Sequence, residues 1–111
     1  MAYDEDLANR IRELLADELG VIEKRMFGGL AFLIGGHMSV AVMGQGGLML
    51  HCELEQTQKL LAKPHAAPLI MRGREMRGWV RVAEEGLATR RALKTWVERG
   101  VSHARSLPAK G

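Results

Sequence analysis

Apolar residues at Leu7, Ile11, Leu14, Leu15 and Leu19 recur at helical spacing, with acids crowding the start of the segment where the helix dipole favours them. Gly20 follows as a left-handed stop would, so the pattern predicts a helix over about 4–19. The periodicity then changes. From Met26 to Leu50 there is no Asp, Glu, Lys or Arg, a run long enough to span a bilayer. Glycines interrupt it at Gly28-Gly29, Gly35-Gly36 and Gly44 to Gly47, which is strand-and-turn spacing and reads as a β-meander. Strands are expected over 21–27, 30–34, 37–43 and 48–52.

Leu54, Thr57, Leu60 and Leu61 suggest a second helix over about 54–63, ended before Pro64. A loop over 64–68 leads into a second hairpin, 69–71 and 76–82, around Arg72 to Glu75. Leu93, Trp96, Val97, Val101 and Ala104 mark a last helix, with Thr89 as its N-cap and Pro108 beyond its end. Gly100 lies within that stripe, where it lets another backbone approach. The order is α-β-β-β-β-α-β-β-α. Hairpin-length connections favour an α+β fold, an antiparallel sheet flanked by helices on one face.

Length changes the picture little: 111 residues hold one domain, 1–111, with its core in about 5–107. Aromatics make up only 5%, and seven methionines take up much of the apolar volume. Cys52 is the only cysteine, so no internal disulfide can form. The acidic start is unlike a secretory signal, and a cytoplasmic protein without membrane association is expected.

Arg25-Met26-Phe27-Gly28-Gly29-Leu30-Ala31-Phe32 resembles the opening signature of the TfoX amino-terminal domain family. The hairpin with Met38, the Gly-x-Leu-x-Leu strand at 46–50, the 71–82 segment and Trp96 fall in the family's order. The resemblance implies a two-layer sheet-and-helix architecture like that of secretion chaperones, which commonly dimerise. Longer family members, the Sxy regulators, promote competence gene expression with a cyclic-AMP receptor protein and carry a second, helical domain. This chain resembles the single-domain branch, and has Leu33 and Met49 where the longer regulators tend to have tyrosines. The implied role is a noncatalytic regulatory or protein-interaction domain with a protein partner, without cofactor.

Candidate chemistry is sparse. Arg25, Phe27, Gly28 and Gly29 combine a guanidinium, an aromatic and open backbone amides, which suits an anion. The favoured reading is a strand bend with Phe27 in the core and Arg25 paired to Glu23 or Asp17, since a glycine pair is commonly needed for a turn or bulge. Between Arg72 and Arg105 nine basic residues (Arg72, Arg74, Arg77, Arg81, Arg90, Arg91, Lys94, Arg99, Arg105) face four acids (Glu75, Glu84, Glu85, Glu98). Alternation places Arg77, Trp79 and Arg81 on one face, opposite Met76, Gly78, Val80 and Val82, an arrangement that could contact nucleic acid phosphates and stack on a base. A solvated sheet face with arginine stems over Trp79 is the other reading. The net charge of only +3 is small for a nucleic-acid binder.

His51-Cys52-Glu53 brings three metal-ligand types together, but alternation turns Cys52 away from its neighbours. No His-x-x-x-His or Cys-x-x-Cys spacing occurs, so no metal site and no catalytic residue is expected. A last feature points to self-association. The strands over 30–34 and 37–43 are apolar on both parities, and Ala31, Leu33, Ala41 and Met43 share one of them. A homodimer interface through that face is expected, the competing cover being a helix or the 64–68 loop.

Overall fold

The computed structural model describes residues 3–26 and 28–108. Helix α1 spans Glu5–Leu14, its N-terminus capped by the Asp4 carboxylate, which accepts from the Leu7 amide at 3.2 Å. The helix is shorter than the leucine spacing implies. It ends at Leu15, and Leu19 is 83% exposed. Asp17 and Glu18 lie where a helix C-terminus disfavours negative charge, so the continuing pattern is not matched by a continuing helix.

Four strands follow as an antiparallel meander: β1 Val21–Met26, β2 Gly29–Ile34, β3 His37–Val42 and β4 Leu48–His51. Gly35 and Gly36 both take positive φ, the two-residue hairpin turn that the sequence indicates. Helix α2, Leu54–Leu61, leads to the hairpin β5 Ala66–Met71 and β6 Arg74–Val82. A 3₁₀ turn at Glu84–Leu87 precedes helix α3, Arg90–Ser106, whose N-cap Thr89 accepts from the Ala92 amide. The sheet order β1-β2-β3-β4-β6-β5 places β6 against β4 and leaves β1 and β5 as edges. This is the expected α+β order. The expected loop over 64–68 instead becomes strand from Ala66, because Pro68, which lacks a donor, is tolerated on an edge strand.

All three helices cover one face of the sheet. Leu30, Phe32, Val40, Val42, Leu48, Leu50, Val80 and Val82 point into a core closed by Leu7 and Ile11 of α1, Leu60 of α2, and Leu93, Trp96 and Val97 of α3. Gly100 is required for this packing, since a Cβ there would run into the Ser39 carbonyl. Among the described residues, no helix is long and apolar enough to cross a membrane.

Strict alternation fails once in β3. Phe32 pairs with Val40 but Leu33 pairs with Met38, so Ser39 forms a bulge. Its buried hydroxyl donates to the Phe32 carbonyl at 2.8 Å. The bulge carries Met38 to the face of Leu33, away from the helices.

Candidate functional site: the methionine face of the sheet

The face turned away from the helices has its own small core. Ala31, Ala41, Met49 and Leu69 are buried there, ringed by half-buried Met26, Leu33, Met38, Met43, Met71 and Trp79. None of the described methionines enters the helix-side core. Methionine thus takes up apolar volume in this second cluster and not in the helix-side core.

The β5–β6 hairpin makes this face concave. Gly78, at φ +84°, kinks β6, and β4 pairs only with Trp79 to Val82 beyond the kink. The distal part of the hairpin turns at Arg72 and Gly73, both with positive φ. Between its tip and the sheet lies a cavity of about 770 Å³ lined by Met26, Met43, Met49, Leu69, Met71 and Met76, and bordered by Arg72, Arg74, Glu75 and Arg77.

The anticipated site residues are dispersed. Arg25 lies on exposed β1 opposite Leu30, on the helix side of the sheet. Its expected partner Glu23 is taken by Arg12, two hydrogen bonds of 2.7 Å joining them. Phe27 lies outside the described residues. Gly28 has φ +73°, and a Cβ on Gly29 would strike the Val42 carbonyl, so the glycine pair serves the turn and a close approach of strands. Ala31 and Ala41, expected at a dimer interface, are buried against Leu69 of the same chain, while Leu33 and Met43 are half-buried. The cover over this face is thus the β5–β6 hairpin, neither a helix nor the 64–68 segment alone.

The kink at Gly78 also separates Arg77 from Trp79 and Arg81. Met76 lines the cavity together with Arg77, although strict alternation would put them on opposite faces. Arg72, Arg74 and Arg77 gather at the cavity mouth, whereas Arg90, Arg91, Lys94, Arg99 and Arg105 belong to α3 on the other side of the sheet. Arg105 is held by Glu18 at 2.6 Å, and Arg99 lies 4.6 Å from the Trp96 ring centroid. Arg81, opposite Met49 on β4, belongs to neither set, so the basic residues of 72–105 are dispersed rather than gathered in one stripe. Trp79 has one ring face occupied by His51, stacked at 4.5 Å with planes 16° apart.

His51 also meets His103 edge-on at 4.5 Å, and the Nε2 of His37 lies 2.6 Å from the Pro108 carbonyl. Burial lowers the pKa of His51, helped by the charges of His103 and His37. Among the described residues no three His, Cys, Asp or Glu are placed to hold a metal. Cys52 is buried with its Sγ 3.7 Å from the Thr57 hydroxyl, and burial pushes its thiol pKa up, which suppresses the nucleophilic thiolate. The His51–Trp79 stack was not visible in the sequence because it depends on the long-range register of β4 with β6. The available signal for the methionine face was the recurrence of methionine at 26, 38, 43, 49, 71 and 76.

No curated protein and no solved structure matches the chain. The family model of the TfoX N-terminal domain matches residues 13–104, from within α1 almost to the end of α3. That span contains the whole sheet and both sides of the cavity, and the chain belongs to the TfoX N-terminal domain family.

Proposed function

We propose that this domain is a noncatalytic regulatory module that acts through protein–protein contact, and that it dimerises through the open part of the methionine face. Family membership supports a regulatory or interaction-type domain at a coarse level. The observation that carries the finer reading is an apolar strip outside the hairpin's cover. Leu33 and Met38 are half-buried, and Ile22, which pairs with Leu33 and so shares its face, is 63% exposed on edge strand β1. A twofold partner presenting the same strip would remove it from water, with the self-complementary geometry common in small homo-oligomers.

Light scattering at micromolar concentration tests this. The expected mass is twice the 12.3 kDa of the chain, and a mass equal to one chain overturns the dimer. Leu33→Lys or Ile22→Lys is expected to give the monomer with unchanged far-UV circular dichroism.

A further inference from the structure

We infer that the cavity beneath the β5–β6 hairpin is a binding site for a small amphipathic anion, a flexible apolar body ending in a carboxylate. The volume of about 770 Å³ lies within the range in which proteins enclose small ligands. Five methionines (Met26, Met43, Met49, Met71 and Met76) make up most of its large apolar side chains, beside Leu69, Ile70 and Val42. Methionine is unbranched and polarisable and repacks around apolar bodies of different outline, which a wall of valine and isoleucine would resist.

The mouth supplies the selection for charge. Arg72, Arg74 and Arg77 border it with Glu75 as the one acid. Among the described residues these three arginines make no ion pair or side-chain hydrogen bond within the chain. Arg10, Arg12 and Arg105 are engaged, donating to the Leu87 carbonyl, Glu23 and Glu18, while Arg25, Arg81, Arg90 and Arg91 share the unengaged state among the described residues but do not line the cavity. An unengaged guanidinium beside an apolar cavity offers paired donors with the geometry of a carboxylate.

The hairpin turn adds an independent observation. Arg72 has φ +53° at a position of a two-residue turn where asparagine, aspartate or glycine is favoured. An arginine therefore stands at the cavity mouth against the turn's own preference. A second copy of the chain is a poorer occupant, because a twofold axis through the cavity would bring three arginines toward three arginines. The strip of Ile22, Leu33 and Met38 does not line the cavity, so this inference stands apart from the dimer.

The test is methyl-methionine NMR of the full chain titrated with dodecanoate below its micellar concentration. Saturable shifts are expected at Met26, Met43, Met49, Met71 and Met76, with Met38 unmoved as the internal control. Dodecyltrimethylammonium, and dodecanoate with the Arg72→Gln/Arg74→Gln/Arg77→Gln variant, are each expected to bind about tenfold more weakly or worse, the loss fitting charge-assisted hydrogen bonds. If that variant fails to fold, Glu75→Gln reads the same charge term with opposite sign and is expected to tighten binding. Absent saturation, equal shifts at Met38, equal affinity for the cation, or indifference to both variants overturns the site. Shifts that follow protein concentration without dodecanoate would instead put a second copy in the cavity and overturn it as well.

Discussion

The two faces of this sheet are built from different side chains under the same backbone. Toward the helices stand Val40, Val42, Val80, Val82, Leu48, Leu50 and Phe32, each fully buried. These residues have few rotamers, and helices carrying Ile11, Leu93 and Trp96 fit against them in one arrangement. Away from the helices stand two alanines and a set of methionines, most of them half-buried. Small residues there make room and flexible ones line it, so one face holds the fold together while the other is left able to repack. The charge-free run from Met26 to Leu50 serves both faces at once, which is why it lacks the polar alternation of a sheet with one wet face.

The sharpest way to break this comparison is to remove a large group from the helix side and to reshape one at constant volume on the other. Trp96 is 6% exposed at the centre of the helix-side core, and Trp96→Ala is expected to cost about 3–5 kcal/mol in denaturant unfolding. Met43→Leu on the other face keeps the volume and is expected to cost less than about 1.5 kcal/mol. Equal losses for the two would show that the methionine face is packed as rigidly as the helix side.

The helix-side architecture was largely legible because its signals are local. Period-3.6 apolar spacing, the Thr89 cap and the glycine pairs each act within a few residues, and Gly100 sits where the sheet backbone approaches α3. The methionine face was not legible for the opposite reason. Its shape depends on a bulge at Ser39 and a kink at Gly78, each of which resets the parity on which alternation arguments rest. It depends also on β6 pairing with β4 across an intervening helix, a choice of partner that no local pattern encodes. The Gly28-Gly29 motif was readable as a turn or as a binding loop. The clash of a Gly29 Cβ with Val42 favours the turn.

A smaller effect is expected at His51, whose ring lies between Trp79, part of the methionine-face cluster, and His103 of α3. Its pKa is lowered by burial, so the unfolded chain takes up a proton that the folded protein resists. Stability is then unaffected above the ordinary histidine value near 6.5 and falls as the pH drops below it. Urea melts between pH 7.5 and 5.5 check this, and His51→Gln is expected to flatten the decline. An unchanged slope in that variant would assign the acid sensitivity to other groups and leave the junction of the two faces electrically neutral in its effect.

The smallest expected effect tests whether surface charge adds to what the buried side chains of the helix side provide. Arg12 of α1 reaches Glu23 of edge strand β1 through two 2.7 Å hydrogen bonds, and its Nη1 also donates to the Asn9 side chain. The geometry is good, but the two side chains are 39% and 37% exposed, so water and salt screen most of the attraction. The Arg12 hydrogen bond lowers the Glu23 pKa, so the pair's contribution is present above the ordinary carboxylate range and lost as the pH falls through it. A double-mutant cycle with Arg12→Ala and Glu23→Ala is expected to give a coupling of about 0.2–1 kcal/mol, shrinking further in 0.5 M salt. The cycle cancels the Asn9 contact, which is lost equally with and without Glu23. A coupling well above that range, insensitive to salt, would mean that α1 is fastened to β1 by charge. The helix side would then owe its rigidity to more than the branched residues beneath it, and the contrast between the two faces would narrow.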